Sequence, residues 1–302
     1  MNIKTKSYHF LRRLTSMQFR QKVKGQVWQL RTRSAPFLKA WYGKYSASEL
    51  EAELRARLPA DSEIVMVHSS ISDMQPMFQG TALELLEALL RLVGPKRTLA
   101  MPAFFFGSTE LYNRAYYRKH PRFDVRRTPS QMGLLTELFR RSPGVERSLH
   151  PTHSVCALGP LAGELLATHH LSPWACGERS PFGIMGQHET AIVGIGAEYY
   201  RCLTQVHAVE EMLGDQFPVP REPEAPVRVE LVDKTGKAIP YEMSPPLSHR
   251  AALRVERLRD LAGPDVIKEW SFRGTNLFLT TAAKVDLAIR SAALRGETLY
   301  AV

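Results

Sequence analysis

The chain has 302 residues, of which 44% are hydrophobic, and a formal net charge of +10. No run approaches the roughly 20 apolar residues that span a bilayer, so the sequence predicts no transmembrane helix. The three cysteines, Cys156, Cys176 and Cys202, are odd in number and lack CxxC spacing. This argues against a disulfide framework and indicates a cytoplasmic protein.

The positive charge is concentrated at the start of the chain. Residues 1–48 hold eleven lysines and arginines and no acidic residue, whereas the remainder holds 29 basic and 30 acidic residues. We therefore predict a basic amphipathic arm, residues 1–45, and one body, residues 46–302. Three interpretations of the arm stay open: it lies on an anionic membrane surface, it binds nucleic acid phosphates, or it packs on the body or on a second subunit of a homodimer. Nucleic acid has the least support, because no basic–aromatic RNA motif is present.

In chain order, the body alternates helix and strand patterns. The first helix follows a capping-box pattern at Ser46 and Glu49. Apolar runs predict strands at 63–68, 97–102, 154–158 and 190–195, and a hairpin of 227–232 with 238–243 around "DKTGK". Amphipathic or capped segments predict helices at 82–93, 131–141, 204–213 and 281–294. The alternation predicts a three-layer α/β/α domain with a mostly parallel central sheet and a late β-hairpin.

Two short polar stretches lie where α/β sheets place working residues. "VHSS" carries His68, Ser69 and Ser70 at the end of a strand, where they can hydrogen-bond an anion or a carbonyl, or cap a turn. "TPSQMG" carries Ser130 and Gly133 at a helix start. Ser130 is a candidate cap for that helix, and the free N–H groups there suit an anion.

The stretch "RSLHPTHS" combines a cation, imidazoles and hydroxyls: Arg147, Ser148, His150, His153 and Ser154. Two histidines three residues apart could ligate zinc, but a site needs three or four ligands and HExxH is absent. A serine nucleophile would need a GxSxG elbow, which is also absent. We therefore expect no metal and favour an anion cradle in which Arg147 is the residue best suited to a phosphate.

The stretch "TQVHAVEE" is the sharpest catalytic candidate. On a helix, His207 and Glu210 are neighbours on one face, with Glu211 and Thr204 beside them. A carboxylate beside an imidazole fixes the tautomer, which is the layout of a general base. The alternative is an ion pair with a structural role. The nearby "VGIG" lacks the third glycine of a dinucleotide fingerprint, and we interpret it as a tight turn.

Taken in order, "VHSS", "TLAMPAF", "TPSQMG", "PGVERSLHPTHS", "GERSPFG" and "T..H..E" resemble the aminoglycoside 3-N-acetyltransferase family over about residues 46–215, and less specifically to residue 302. The resemblance implies an α/β/α enzyme in which acetyl-CoA and an amine meet in one ternary complex. It implies that His207 takes the proton of the attacking amine and that Glu210 orients His207, with Thr204 near the thioester oxygen. It places the acetyl-CoA side at His68, Ser69, Ser70, Ser130, Gly133, Arg147, Ser148, His150, His153 and Ser154.

The sequence departs from that family before the catalytic helix. Residues 197–204 read "AEYYRCLT" instead of an Asp-Ser-Asn-Thr-like run, and the body is close to neutral. Because an aminoglycoside is a polycation that favours an acidic cleft, we expect the acceptor to be an amino sugar of a cell-surface glycan precursor. The arm would then hold the enzyme on the inner face of the membrane. The alternatives are an aminoglycoside antibiotic 3-N-acetyltransferase, a non-enzymatic docking module on a degenerate body, and a metallohydrolase using His150 and His153.

Overall fold

The computed structural model describes residues 33–221, 223–246 and 253–300. The strands are β1 (Ile64–Ser69), β2 (Thr98–Pro102), β3 (Arg122–Asp124), β4 (Glu146–Arg147), β5 (Val155–Leu158), β6 (Thr190–Ile195), β7 (Val227–Val232), β8 (Ala238–Met243), β9 (Lys268–Phe272) and β10 (Thr275–Thr281). They form a seven-stranded sheet in the order β4-β5-β2-β1-β6-β10-β9 and a three-stranded sheet in the order β3-β7-β8.

Helices cover both faces of the large sheet and the connections between strands. They are α1 (Ala35–Tyr42), α2 (Ala47–Arg55), α3 (Ile71–Met74), α4 (Ala82–Val93), α5 (Arg114–Lys119), α6 (Leu134–Arg141), α7 (Ala162–Ala167), α8 (Pro181–Met185), α9 (Tyr199–Cys202), α10 (Val206–Leu213), α11 (Leu258–Ala262) and α12 (Ala282–Leu294). Within these residues, no helix has both the length and the hydropathy that a membrane crossing requires.

The sequence of the central strand β1 is apolar because both faces of the strand are buried. Ile64 and Met66 belong to the core on one face of the sheet, and Val65 and Val67 to the core on the other. A strand covered on both faces reads as a continuous apolar run because successive side chains point to opposite faces. The three-layer α/β/α prediction is confirmed.

The centre of the large sheet is parallel and its margins are antiparallel. β1 pairs parallel with β2 and β6, whereas β5, β10, β9 and β4 add antiparallel pairings. The sequence analysis missed the β9–β10 hairpin. Its turn places Arg273 and Gly274 at φ values of 45° and 74°, the left-handed conformation that two-residue hairpin turns use.

The predicted late hairpin is confirmed, residue for residue, as β7 and β8. Its turn is held by Asp233, whose Oδ1 accepts hydrogen bonds from the backbone N–H groups of Thr235 and Lys237. β3 adds to β7 in parallel and completes the small sheet, which packs its own core around Tyr117 and Phe123.

One helix start differs from the prediction. α6 begins at Leu134, because Gly133 adopts a φ of +98° that ends any helical continuation towards residue 131. Ser130 therefore does not cap it. Instead, the backbone N–H of Ser130 donates to Glu137 Oε2 at 2.9 Å, and Ser130 Oγ accepts from Met132 N–H at 3.1 Å.

The predicted border between arm and body falls inside a packed region. Tyr45 is 1% exposed, packs its ring at an angle against Phe78 and edge-on against Phe272, and shares a hydrogen bond of 2.5 Å with Thr275 Oγ1. Tyr45 thus belongs to the core of the body, and the amphipathic stretch predicted within residues 1–32 lies outside the described residues.

Candidate active site

The carboxyl ends of the parallel strands β1, β2 and β6 meet at one edge of the large sheet. The backbone N–H of Ser70, just after β1, donates to Ile195 O at the end of β6. The next residue, Gly196, has a φ of +65°, and a Cβ there would lie 2.6 Å from Ser70 O. Only glycine allows this close turn, so the "VGIG" prediction of a tight turn agrees with the structure. Ligands bind at such an edge in open α/β sheets.

His207 and Glu210 form a buried pair at the start of α10. His207 Nδ1 lies 2.6 Å from Glu210 Oε2, and the two residues are 7% and 0% exposed. Tyr300 donates its hydroxyl to the same Oε2 at 3.0 Å. A carboxylate acceptor requires the proton of the neutral imidazole to sit on Nδ1, which leaves the lone pair on Nε2. Among the described residues, Nε2 makes no hydrogen bond.

The entry to α10 is held by side chains from two other helices. Gln205 is 1% exposed, and its Nε2 donates to Phe182 O and to Asp286 Oδ1, both at 2.9 Å. Burial raises the pKa of Asp286 to about 6, against a partly offsetting hydrogen bond from Gln205. Thr204 lies one turn before His207, whose N–H donates to Thr204 O. The Thr204 hydroxyl donates to Cys202 O at 3.3 Å.

The "VHSS" residues lie at the end of β1, on the same sheet edge. His68 is 5% exposed, and burial lowers its pKa to about 4, so it is neutral at physiological pH. Ser69 is half-buried, and Ser70 Oγ donates to Asp73 Oδ2 at 2.6 Å. Gly133 is exposed at the start of α6, with open space where a Cβ would point.

Arg147, which the sequence predicts as a phosphate ligand, makes its hydrogen bonds to groups of the protein itself. Its guanidinium donates to the carbonyls of Thr128 and Ala103 and to Ser154 Oγ, and it lies over the Phe123 ring at 4.9 Å. Burial lowers its pKa to about 10, so it remains charged. Because the guanidinium donors are engaged by the protein itself, this geometry gives no support to phosphate binding by Arg147.

The two serines of this stretch, Ser148 and Ser154, also make their hydrogen bonds within the protein. Ser148 Oγ accepts from Val155 N–H and pairs with His169 Nδ1 at 2.8 Å. Ser154 Oγ donates to Ala103 O, and both serines are at most 1% exposed. These hydrogen bonds join β4 to β5 and to the end of β2, so the two serines support the loops and are withdrawn from the predicted acetyl-CoA wall.

His150 and His153 line a small cavity of about 70 Å³ with Glu211 and Trp174, and the His150 ring stacks on that of His169. His150 Nδ1 accepts from the backbone N–H groups of Thr152 and His153, which places its proton on Nε2. Burial and the neighbouring His169 hold the pKa of His150 well below its ordinary value. Among the described residues, Nε2 has no hydrogen-bond partner, and no group of side chains suited to a metal ion is found in that part of the chain.

Two residues of this region went unassigned in the sequence analysis. Glu211 is 3% exposed and accepts from Cys176 N–H; its place beside His207 on the helix was visible, but its burial was not. Tyr300 is 90 residues from Glu210 in sequence and carries no local motif. Only the fold brings its hydroxyl to the pair.

Comparison with known proteins decides the family. The sequence profile of aminoglycoside 3-N-acetyltransferases matches residues 66–285, more than two thirds of the chain. The chain belongs to this family. The expectation drawn from the order of "VHSS", "RSLHPTHS" and "T..H..E" is thereby confirmed.

Curated relatives carry the same family name. The chain is 30% identical over 151 residues to the aminoglycoside N(3')-acetyltransferase-like protein YokD of Bacillus subtilis, covering 45% of this chain and 54% of YokD. It is 29% identical to aminoglycoside N(3)-acetyltransferase IX of Micromonospora chalcea, covering 56% of this chain and 63% of that protein. A Salmonella aminoglycoside N(3)-acetyltransferase III is 36% identical over 39% of this chain and 44% of its own. The chain thus spans about half the length of the curated relatives it matches.

Solved structures of the aminoglycoside 3-N-acetyltransferase family share the fold over most of the chain. AAC-VIa bound to sisomicin is 26% identical, with a TM-score of 0.66, covering 86% of this chain and 100% of its own. The crystal structure of YokD from Bacillus subtilis is 23% identical, with a TM-score of 0.62 and coverage of 82% and 98%. These relatives are named for aminoglycosides, and none of these findings supports the expected glycan precursor as acceptor.

Proposed function

We propose that this member of the family transfers an acetyl group from acetyl-CoA to an amine of an aminoglycoside, with His207 as general base. The observation that carries the proposal is the buried His207–Glu210 pair with Tyr300 behind it. The pair lies on α10, which follows the carboxyl end of β6, and α/β sheets bind ligands at that edge. A structural ion pair would not need an imidazole nitrogen left without a partner among the described residues.

The residues act in sequence from Tyr300 to the amine. Tyr300 donates to the Glu210 carboxylate, and Glu210 holds the Nδ1 proton of His207. His207 Nε2 then accepts a proton from the acceptor amine, which exposes the nitrogen lone pair for attack. As the imidazole gains charge, the buried Glu210 carboxylate stabilises it.

The residues at the strand edge fit acetyl-CoA as a cosubstrate. Acetyl-CoA, when bound, supplies the thioester carbonyl that the amine attacks. Neutral His68 and half-buried Ser69, at the end of β1, offer hydrogen-bonding groups to carbonyl or amide oxygens, whereas the Ser70 and Thr204 hydroxyls donate to Asp73 and to Cys202 O. The N-terminus of α6 at Gly133, where a Cβ would meet open space, offers backbone N–H groups that suit a phosphate, whereas the Ser130 N–H is bound to Glu137. Arg147, Ser148 and Ser154 are left out of this proposal because their hydrogen bonds are internal.

The small cavity beside α10 holds a buried carboxylate, Glu211, and we assign this cavity to the acceptor. Glu211 lines the small cavity one helical turn beyond His207, and it is buried beside His150 and His153. A carboxylate there favours an acceptor with a second protonated amine, as aminoglycosides have. The near-neutral charge of the body as a whole therefore does not exclude a cationic acceptor, because the local carboxylate sets the field at the site.

Thiol release from acetyl-CoA in the presence of sisomicin and other aminoglycosides tests the proposal. We expect turnover in the wild type and a loss of about 10²- to 10⁴-fold in kcat for His207→Ala, with the Kd for CoA unchanged by calorimetry. Tyr300→Phe removes one donor to Glu210 and should lower kcat by several-fold while sparing KM. His188→Ala is the matched control, because His188 pairs with Glu63 and Glu164 and makes no hydrogen bond to the His207–Glu210 pair. Turnover that persists in His207→Ala would exclude His207 as the base, and no thiol release with any amine would refute the activity.

A further inference from the structure

An aromatic pair is exposed on the first described helix. Phe37 and Trp41 are 67% and 72% exposed, and their rings stack with centroids 6.1 Å apart at 21°. Pro36 and Ala40 are exposed beside them, so this face of α1 presents a continuous apolar surface without a hydrogen-bonding side chain other than the indole. Exposed apolar patches of this kind mark interaction surfaces.

The helix that carries the pair is fixed on the body. Leu38, beside the pair on α1, packs against the core that α2 and α4 share on one face of the large sheet. Tyr42 lies so close to Gly274 that a Cβ there would be 2.7 Å from the Tyr42 ring. Arg273, in the same β9–β10 turn, donates to Lys44 O. These contacts hold Phe37 and Trp41 outward in a constant position.

The sequence on both sides of the pair is positively charged. Arg33, Lys39 and Lys44 are the charged residues between 33 and 45, and residues 1–32 add eight lysines and arginines without an acidic residue. The carboxylates of the following helix are each paired with arginine: Glu49 with Arg273, Glu51 with Arg55 and Arg91, and Glu53 with Arg57. The neighbouring acids therefore do not cancel the field of the basic residues.

We propose that α1 and the basic residues around it dock on a bilayer that contains anionic phospholipids, with Phe37 and Trp41 at the level of the headgroups. Trp and Phe beside lysine and arginine are the side chains that interfacial helices place at this boundary. Anionic headgroups complement the charge, and the acyl region complements the apolar face. A nucleic acid would match the charge alone, because the exposed face offers no group that reads a base edge.

Co-sedimentation of the full-length chain with vesicles tests the proposal. We expect weak partitioning onto phosphatidylcholine and strong partitioning onto vesicles with 40% phosphatidylglycerol, falling at least tenfold from 50 to 500 mM NaCl. Lys39→Gln with Lys44→Gln should lower it by about fivefold per charge. Phe37→Ser with Trp41→Ser should lower it by at least tenfold. Leu287→Ser with Leu294→Ser is the matched control, since these α12 side chains are 67% and 84% exposed on another surface. Circular dichroism melts confirm that each variant is folded.

Tryptophan fluorescence adds a direct readout. On anionic vesicles, emission should shift to the blue and be quenched by brominated acyl chains, and both effects should disappear in Trp41→Ser. The proposal is overturned if the chain ignores anionic vesicles or if both double serine variants lose binding equally. It is also overturned if Phe37→Ser with Trp41→Ser abolishes self-association in light scattering or binding to a DNA duplex while vesicle binding persists.

Discussion

Arg147 ties three segments of the protein together. Its guanidinium donates to Ala103 at the end of β2, to Thr128 in the loop before α6 and to Ser154 before β5. A buried cation that satisfies backbone carbonyls leaves several acceptors unpaired when it is removed. The Arg147 guanidinium, whose charge and donors suggest a phosphate ligand in the sequence, therefore holds together the loops beside the candidate site.

The variant Arg147→Met separates the two roles. We expect it to lower the free energy of unfolding by about 3 kcal/mol, measured by urea titration, because carbonyls lose charged donors in a buried place. The Kd for CoA should stay within about threefold of the wild type. Arg141→Met, an exposed arginine of α6, is the control and should change neither quantity. A tenfold weaker CoA affinity with unchanged stability would restore the phosphate role.

Local spacing predicts the proposed catalytic pair because both members lie on one helix. His207 and Glu210 are three residues apart, and helix geometry alone makes them neighbours. Tyr300 reaches the same carboxylate only through the packing of the chain's last residues, and no residue near it in sequence signals that contact. The roles of His150 and Arg147 likewise depend on which loops their side chains meet, which a motif does not specify.

The same contrast holds for whole elements. α4, β6 and the β7–β8 hairpin have the predicted boundaries, because a capping box, a continuous apolar run and an Asp-Lys-Thr-Gly turn are local signals. α6 begins three residues late because Gly133 adopts a left-handed conformation that the sequence does not specify. The β9–β10 hairpin was missed, since Arg-Gly is a weaker turn signal than Asn-Gly.

The protonation state of Asp286, which accepts a hydrogen bond from Gln205 at the start of α10, makes the packing of this helix sensitive to pH. Burial raises its pKa to about 6, from about 4 in an unfolded chain. Because the pKa of Asp286 is higher in the folded state than in the unfolded chain, protonation of Asp286 stabilises the folded protein. This stabilisation is complete below pH 4 and is lost as the pH rises through 6. The folded protein therefore carries the cost of a half-buried carboxylate at neutral pH.

Asp286→Asn should remove this cost. The Asn Oδ1 can still accept the hydrogen bond from Gln205, while no charge is buried. We expect the variant to gain about 1 to 2 kcal/mol over the wild type at pH 8 and almost nothing at pH 4. Urea titrations across that range measure the difference, with the exposed Asp260→Asn as control. A constant difference at all pH values would contradict the assignment to Asp286.

At the scale of the molecule, the large sheet divides the structure into two cores, and the site lies where the central strands end. Residues of α2, α4 and α6 fill one core, and residues of α8, α10 and α12 fill the other. The alternation of strands and helices predicted this architecture. The predicted border of the body at residue 46 rests on the distribution of charge. Charge indicates solvent exposure, but it does not show which residues the Tyr45 side chain contacts.

The folding unit should therefore include Tyr45 and begin before residue 46. A chain that begins at residue 46 loses the Tyr45 ring between Phe78 and Phe272 and its hydrogen bond to Thr275. We expect this chain to be less stable by about 3 to 5 kcal/mol than one that begins at residue 33. Tyr45→Ala in the full-length chain should lose a similar amount, whereas Trp41→Ala, at an exposed position, should lose less than about 0.5 kcal/mol. Equal urea midpoints for the two truncated chains would place the edge of the body after Tyr45.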